Sequence, residues 1–277
     1  MNDAPTFSSS MMFTGITEDA VSNTGMLVSS FNSTISDVDA GALKGIAITS
    51  VDNTNGTWQY TLDGTNWFAI GSVSTASARL LASDATTSFR FVPNADWNGS
   101  TGLINYKAWD QTSGTTGGLV DVTVAGGTTA FSQFGNGSSL SITAVNDAPT
   151  ALSTTTTLTA VIEDTTNPSG ATIDSLFGST FGDVKDQVTG GSTANNFAGV
   201  AIFANAANAS TEGVWQWYNN TSWVNISNSV STSSALTLAP STLVRFLSNA
   251  NYNGTPGLLT VRLIDDSIGA VTSGSTA

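Results

Sequence analysis

A five-residue segment, Asn-Asp-Ala-Pro-Thr, occupies positions 2–6 and recurs at positions 146–150. The two copies lie about one domain length apart. In each copy the Asn and Asp offer oxygen atoms to a cation, while the proline fixes its own φ angle and extends the residue before it. The repeat therefore predicts two modules, each beginning at a stiff segment suited to a bound ion.

Other segments repeat in the same order along the two halves. They are short, they alternate apolar and polar residues, and turn residues separate them, while no stretch keeps the apolar spacing of a helix. This pattern predicts an all-β fold of two tandem antiparallel β-sandwiches, residues 1–145 and 146–277. The matching pairs are TED 17–19 and IED 162–164, FNSTISDVD 31–39 and FGSTFGDVK 177–185, GIAI 45–48 and GVAI 199–202, WQY 58–60 and WQW 215–217, RF 90–91 and RF 245–246, NADWNG 94–99 and NANYNG 249–254, and LINYKAWD 103–110 and LLTVRLID 258–265.

The first half carries two further strand-like segments, 119–124 and 140–145. The second half has no equivalent of the last one, so we expect its sandwich to lack the final strand. Two explanations are open. Either the sequence is a piece cut from a longer protein, which the position of Met1 directly before the repeated segment also favours, or another chain segment completes the sheet.

The charge balance excludes several classes of function. With 7 basic against 20 acidic residues and a formal net charge of −13, the chain repels nucleic acid and anionic lipid. It has no cysteine and no histidine, which removes disulfides, the usual zinc ligands and the histidine of a catalytic triad. No apolar run is long enough for a membrane helix, and the N-terminus lacks the profile of a secretory signal. We predict neither a nucleic-acid partner nor membrane insertion.

The acidic residues gather at the repeated strand ends. Like charges placed together repel, and burying an unpaired carboxylate is costly, so such clusters favour a multivalent cation. Ca²⁺, which accepts six to eight oxygen ligands in flexible loops, fits better than Mg²⁺. A carboxylate pair can also hydrolyse a glycosidic bond, but acids at repeated positions argue against a single active site, and we predict that the chain is not an enzyme. Thirteen acids belong to this set: Asp3, Glu18, Asp19, Asp37, Asp39, Asp110, Asp147, Glu163, Asp164, Asp183, Asp186, Asp265 and Asp266.

The ordered series of Asn-Asp-Ala-Pro, Glu-Asp, Asp-Val-Asp-Ala-Gly at 37–41, Ala-Trp-Asp at 108–110 and Thr-Ala-Val-Asn-Asp at 143–147 resembles the cadherin repeat. More closely, with its Trp-Gln-Tyr and Asn-Ala-Asp-Trp-Asn-Gly segments, it resembles the bacterial cadherin-like tandem modules of giant surface proteins and of calcium-dependent adhesins with RTX-type secretion. The resemblance covers essentially the whole chain. It implies cadherin- or immunoglobulin-like sandwiches with Ca²⁺ at the module junctions.

The resemblance also implies two ligand sets. Lys185 stands where the second aspartate of the Asp-x-Asp pair is expected, so Asp186 or a backbone carbonyl must substitute. Glu163, the equivalent of Glu18, is a further candidate ligand. The N-terminal junction would use Asp3, Asp37, Asp39 and Asp110, and the middle junction Glu18, Asn146, Asp147, Asp183, Asp186 and Asp265.

The function that follows is a pair of calcium-stiffened extender modules in a large extracellular bacterial adhesin or surface protein, projecting a ligand-binding region from the cell. The partners would be neighbouring modules of the same chain and, in addition, surface glycans or other cells. Two alternatives stay open. One is a calcium-dependent, lectin-like carbohydrate-binding module, and the other is a surface-layer or filament subunit.

Three structural interpretations accompany this hypothesis. The tryptophans invite sugar stacking, but their repetition favours core packing. Asp63-Gly64 is typical of a two-residue type I′ hairpin turn between a strand containing Trp58 and a return strand containing Trp67 and Phe68. The strand residues Arg90, Lys107, Arg245 and Arg262 are expected to form ion pairs within the fold.

Overall fold

The computed structural model describes residues 1–277, and the chain divides into two compact units. Unit 1 comprises residues 1–145 and 188–192, and unit 2 comprises residues 146–187 and 193–277. Residues 188–192 lie within the second half of the sequence, yet they group with unit 1. There the backbone N–H of Ser192 donates to Oδ1 of Asn98 at 2.7 Å.

The regular secondary structure of unit 1 consists of short strands and one helical segment, the 3₁₀ helix Val28–Thr34. The strands are β1 (Thr6–Phe7), β2 (Ile16–Thr17), β3 (Met26–Leu27), β4 (Ile35–Ser36), β5 (Gly45–Ser50), β6 (Gly56–Thr61), β7 (Phe68–Ala69), β8 (Ala78–Ala82), β9 (Ser88–Pro93), β10 (Gly99–Ser100), β11 (Ile104–Trp109), β12 (Leu119–Val120), β13 (Asn136–Ser138) and β14 (Ser141–Thr143).

Two main sheets of unit 1 face each other across one core. One sheet has the order β12-β8-β5-β11-β13 and the other the order β3-β9-β6-β7, while β10-β14-β2 and β1-β4 form small additional sheets. Alternate residues of both main sheets, among them Ile48, Tyr106, Trp58 and Phe89, pack into one buried cluster. This alternation is what the two-residue period of a strand imposes when one face of each sheet is buried.

The outer face of the five-stranded sheet is covered as well. Leu80 and Trp109 pack there against Val122, Ala130 and Phe131 from the chain that follows β12. Unit 1 therefore buries apolar side chains on both faces of this sheet.

Unit 2 contains a short α-helix, α1 (Ile173–Phe177), and a 3₁₀ helix, Gly178–Thr180. Thr172 caps α1, because its hydroxyl accepts the backbone N–H of Ser175. The strands are β15 (Thr150–Ala151), β16 (Ala171–Thr172), β17 (Phe181–Gly182), β18 (Phe197–Asn205), β19 (Gly213–Tyr218), β20 (Trp223–Asn225), β21 (Leu236–Leu238), β22 (Leu243–Ser248) and β23 (Leu259–Asp265).

The core of unit 2 is likewise enclosed by two sheets, of order β16-β22-β19-β20 and β21-β18-β23. Val200, Leu238 and Val244 are its buried centre, and Trp215 and Val261 pack against it while staying partly exposed. The predicted all-β sandwich class is confirmed. No strand pairs with the second edge of β23, and the equivalents of β13 and β14 are missing from unit 2.

The hairpin formed by β6 and β7 differs in its turn from the prediction. Tyr60 lies opposite Phe68, with ring centroids 6.0 Å apart, so an aromatic pair does join the strands. The loop is longer than two residues, however, and only Gly64 adopts a positive φ. The prediction of a two-residue type I′ turn was therefore wrong. The carboxylate of Asp63 accepts the backbone N–H groups of Thr65 and Asn66, at 2.8 and 2.7 Å, and so stabilises a wider turn.

The predicted ion pairs of the strand-borne basic residues are also wrong. The Lys107 ammonium donates to the carbonyl oxygens of Ser132 and Gln133. The guanidinium groups of Arg90, Arg245 and Arg262 lie over the aromatic rings of Trp67, Trp223 and Phe203, respectively. These cations are satisfied by carbonyl oxygens, amide oxygens and aromatic faces, so the carboxylates at the strand ends are left to other partners.

Candidate metal centres

The first Asn-Asp segment is tied to the three predicted acids of unit 1. The side-chain amide of Asn2 donates to Oδ2 of Asp110 at 2.8 Å, just beyond the end of β11. The backbone N–H of Asp3 donates to Oδ2 of Asp39 at 2.7 Å, and the backbone N–H of Asp39 donates to Oδ1 of Asp37 at 2.9 Å. The structure thus brings the four acids predicted for the N-terminal junction into one hydrogen-bonded cluster within unit 1.

The second Asn-Asp segment makes the corresponding contacts inside unit 2. The side-chain amide of Asn146 donates to Oδ2 of Asp265 at 3.4 Å, just as Asn2 donates to Asp110. The backbone N–H of Asp147 lies 3.2 and 3.3 Å from the two carboxylate oxygens of Asp186. Asp186 therefore takes the contact that Asp39 makes in unit 1, which is one of the two substitutes, Asp186 or a backbone carbonyl, that the sequence left open.

Lys185 itself contacts the repeated segment. Its ammonium lies 3.1 Å from Oδ1 of Asp147, and both side chains are partly exposed. Because this pair is open to water, it contributes little to stability. Its consequence is local: one oxygen of Asp147 already faces a positive charge, which unit 1 does not place beside Asp3.

Two equivalent aspartates each bury an oxygen atom that has no hydrogen-bond donor in the protein. These atoms are Oδ2 of Asp37 and Oδ1 of Asp183. The second oxygen of each carboxylate is bonded, to the backbone N–H of Asp39 and of Asn195, respectively. A buried carboxylate oxygen without a donor carries an uncompensated desolvation cost. The same cost therefore occurs at the same position of both repeats.

The strand-end aspartates are buried without any basic partner. Asp110 is 2% exposed and Asp265 is 6% exposed, and no Lys or Arg forms an ion pair with either. Each accepts the backbone N–H of the residue two positions later, Thr112 or Ser267. These neutral donors hold the carboxylates in place and leave their negative charges uncompensated.

Asn195 belongs to the unit 2 cluster, and sequence reasoning missed it. Its backbone N–H donates to Oδ2 of Asp183, and its side-chain amide donates to Oδ1 of Asn146, both at 2.6 Å. It lies in the insertion that precedes β18, where the first repeat has no equivalent to align. The only available signal was the pair of asparagines at 195–196 within that insertion.

The next residue, Asn196, bonds to Asp266, which follows the last residue of β23. Hydrogen bonds from the side-chain amide and the backbone N–H of Asn196 lower the pKa of Asp266 below its ordinary value. The insertion therefore supplies amide donors both to Asp183 and to Asp266.

Glu18 and Glu163, the acids of the repeated Glu-Asp pair, make contacts apart from both clusters. Glu18 is 2% exposed, and its two oxygens accept the backbone N–H of Val145 at 2.5 Å and the side-chain amide of Asn98 at 3.0 Å. Glu163 is exposed and accepts the side-chain amide of Asn253 at 3.4 Å. Asn98 and Asn253 are equivalent positions, so the repeated role of this glutamate is to hold an asparagine.

The clusters are linked by hydrogen bonds and do not converge on a point. No group of three or more Asp, Glu, His or Cys side chains is placed to hold a metal ion. The side chains of the two clusters offer carboxylate and amide oxygens, which are among the ligand types that Ca²⁺ takes. Occupation by an ion would require the amide groups of Asn2 or Asn195 to give up their present contacts.

A cavity of about 610 Å³ lies elsewhere in unit 1. Its walls are formed by hydroxyl, methionine and other apolar side chains, including Ser30, Thr34, Met12 and Met26, and carry no titratable group. The cavity offers no acid or base for chemistry.

None of the helices has the length and apolar character that crossing a membrane would require. Compared with known proteins, the chain matches no family model, no curated protein and no solved structure.

Proposed function

We propose that the two units are tandem modules of a large extracellular bacterial adhesin or surface protein, and that Ca²⁺ bound at the Asn-Asp-Ala-Pro segments stiffens them. The observation that carries this proposal is the unbonded, buried oxygen at Asp37 and again at Asp183. Chance would not place the same costly group at the same position of both repeats. In this role the modules project a ligand-binding region of the same protein away from the cell.

The charge distribution supports this choice of ion. The chain carries a formal net charge of −13 and has no histidine or cysteine, so hard oxygen ligands are all it offers. Ca²⁺ tolerates the irregular geometry of loops and partial ligation by amide and backbone oxygens, whereas Mg²⁺ demands a near-ideal octahedron. Calcium would also remove the repulsion among the buried acids at the ends of β11 and β23.

The mechanism is thermodynamic linkage. An ion that binds only the folded unit stabilises that unit by about 2.7 kcal/mol when its free concentration is a hundred times the Kd. For a unit of this size such a gain corresponds to a rise of about 8 °C in Tm. Chelation reverses the gain, so each module would be firm in calcium-rich surroundings and weaker without it.

The test compares the protein in millimolar CaCl₂, in MgCl₂ and in EDTA, by calorimetry and small-angle scattering. We expect calcium to raise the Tm by about 8 °C and to alter the scattering profile, and magnesium to do much less. Equal Tm values and equal maximum dimensions in calcium and EDTA would refute the proposal.

Two substitutions locate the sites. Asp37→Asn and Asp183→Asn each remove one charge at an unbonded oxygen, and each is expected to abolish the calcium response of its own unit. Asp121→Asn is the matched control, because this exposed aspartate bonds only to Thr123, two residues further on. A calcium response that survives both substitutions would place the ions elsewhere.

The carbohydrate-binding alternative gains no specific support. Trp58 and Trp109 are fully buried, and the guanidinium groups of Arg90 and Arg245 occupy one face of Trp67 and Trp223. Stacking on a pyranose ring requires an open aromatic face. Trp58 and Trp109 expose no face, and one face of Trp67 and of Trp223 is covered by an arginine.

A further inference from the structure

The chain contains four Asn-Gly pairs, at 55–56, 98–99, 136–137 and 253–254. Asparagine is a chemically labile residue, and a following glycine opens one particular reaction to it. The backbone nitrogen of the glycine attacks the side-chain Cγ of the asparagine, and the glycine has no Cβ to hinder the approach. The two atoms meet only where the backbone can move and water has access, so the fold decides which of the pairs reacts.

The pair at 98–99 is held firmly in unit 1. The side chain of Asn98 is 3% exposed, and its amide donates to Oε2 of Glu18 and to the hydroxyl of Ser192. Its oxygen accepts the backbone N–H of Ser192. Gly99 lies in β10 and is paired with Ile142 of β14. The asparagine side chain and the glycine backbone are therefore both fixed.

The sheets of unit 1 hold two further pairs. Gly56 is the first residue of β6 and is buried, and a Cβ added there would collide with the carbonyl oxygen of Val92. Asn136 and Gly137 lie in β13, which pairs with β11. Backbone motion at either pair would require part of a main sheet to open.

The pair at 253–254 is free of such restraints. Both residues are exposed and lie outside every strand. The backbone N–H of Gly254 donates no hydrogen bond, and the nearest atom to a Cβ at this position would be the Tyr252 hydroxyl, at 3.4 Å. The side chain of Asn253 makes a single contact, in which its amide donates to Oε2 of Glu163 at 3.4 Å. Neither the attacking nitrogen nor the attacked carbon is held in place.

This contrast comes from the surroundings of the loop and not from its shape. Asn98 and Asn253 occupy the same position of the repeated segments 94–99 and 249–254. The backbone turns alike in both copies, since Gly99 and Gly254 have φ angles of +130° and +143°. In unit 1 the glycine is paired in a sheet and the asparagine is buried, whereas in unit 2 both residues face water.

We propose that Asn253 is a site of spontaneous deamidation, which converts it to aspartate and isoaspartate. The nitrogen of Gly254 forms a bond to Cγ of Asn253, the Cγ–Nδ2 bond breaks, and Nδ2 leaves as ammonia with the proton of the Gly254 N–H. Water then opens the succinimide ring at one of its two carbonyl carbons. Water is the only co-reactant and no Ca²⁺ takes part, so the reaction does not depend on the proposed function.

The product changes the contact with Glu163. The Asn253 amide donates to this carboxylate, whereas an aspartate at neutral pH has no proton to donate, so the contact becomes a repulsion between like charges. Glu163 lies in a turn in which the backbone N–H of Thr165 donates to the carbonyl of Ile162 at 3.3 Å. We expect deamidation to loosen this turn.

The experiment ages the full chain for several days in a neutral buffer that contains EDTA. Peptide mapping by mass spectrometry follows the loss of each side-chain amide, and isoaspartate-specific methylation identifies the product. We expect Asn253 to convert at least about tenfold faster than the asparagines of the other three pairs. Asn251 is the control for the neighbouring residue, because it is exposed in the same loop but precedes Tyr252, and it should stay intact. No conversion at Asn253, or equally fast conversion at Asn98 or Asn251, would overturn the proposal.

Denaturing urea separates the effect of the fold from that of the local sequence. Unfolding removes the contacts that hold the other three pairs, so we expect all four Asn-Gly pairs to convert at similar rates in urea, while Asn251 stays slow. Faster conversion of Asn253 that persists in urea would show that the fold does not select the site and would also overturn the proposal.

Two variants and a matched control complete the test. Asn253→Gln keeps an amide for Glu163 but requires a larger ring, so the conversion in this segment should disappear. Asn253→Asp carries the charge of the product and is expected to speed hydrogen exchange of the Thr165 amide several-fold, as ageing does. Thr255→Asp is the control, because it adds the same charge at an exposed residue of the same loop, and it should leave this exchange unchanged. Undiminished conversion in Asn253→Gln, or exchange at Thr165 that neither ageing nor Asn253→Asp alters, would contradict the assigned site.

Discussion

One arginine in each unit is held by the same two kinds of contact. The Nε–H of Arg90 donates to the amide oxygen of Gln59 at 2.9 Å, and that of Arg245 donates to Gln216 at 2.8 Å. Each guanidinium also lies over an indole ring, and burial lowers the pKa of both arginines below their ordinary value. In each unit a glutamine and the indole of the return strand, Trp67 or Trp223, thus fix a partly desolvated cation without any acid.

We predict that Arg245→Lys destabilises unit 2 almost as much as Arg245→Ala, by about 2 kcal/mol. Lysine keeps the charge but loses the planar stack on Trp223 and the directed bond to Gln216. Urea unfolding followed by hydrogen exchange of unit 2 measures the loss. Arg262→Lys is the control, because Arg262 is exposed and makes one distant ring contact. Full rescue by lysine would show that charge alone matters at position 245.

The path of β18 depends on one glycine, Gly199. The register of β18 against β23 shifts between Phe197 and Gly199, which is the mark of a bulge. Gly199 has a φ of +143°, and a Cβ there would lie 2.3 Å from the carbonyl oxygen of Leu238. The strand can approach β21 this closely only because position 199 has no side chain.

Gly199→Ala is therefore expected to cost about 3 kcal/mol, since it combines a backbone strain with a clash against a carbonyl that cannot move. Gly41→Ala separates the two effects. Gly41 also has a positive φ, of +77°, but no atom lies near its missing Cβ, so its cost should be about 1 kcal/mol. Denaturant midpoints of the two variants give the comparison, and equal losses would contradict it.

The two units differ as whole bodies in how completely their apolar surface is covered. Unit 1 buries side chains on both faces of its five-stranded sheet. Unit 2 has a single core cluster, and tryptophan and leucine side chains at its margin stay partly exposed. Stability follows apolar area removed from water, so the two bodies should not unfold alike.

We predict that unit 2 unfolds at a lower temperature than unit 1, in a separate calorimetric transition. Hydrogen exchange during a temperature ramp assigns each transition, with residues 259–265 reporting on unit 2 and residues 104–109 on unit 1. Loss of protection in both segments at one temperature would contradict the prediction.

The all-β class and the positions of most strands could be read from the sequence alone, and Asp186 was one of two candidates to replace the aspartate expected at position 185. These features follow from residue alternation, from turn residues and from the ordered repeat, all of which are visible along the chain. The core position of Trp58 followed from the repetition of this tryptophan in the second half of the chain.

Which polar atoms form hydrogen bonds could be learned only from the folded structure. The unbonded oxygens of Asp37 and Asp183, the bridging role of Asn195 and the aromatic contacts of Arg90 arise between residues far apart in sequence. Local preference sets where a strand runs, whereas the register and packing of distant strands set what lies beside each atom.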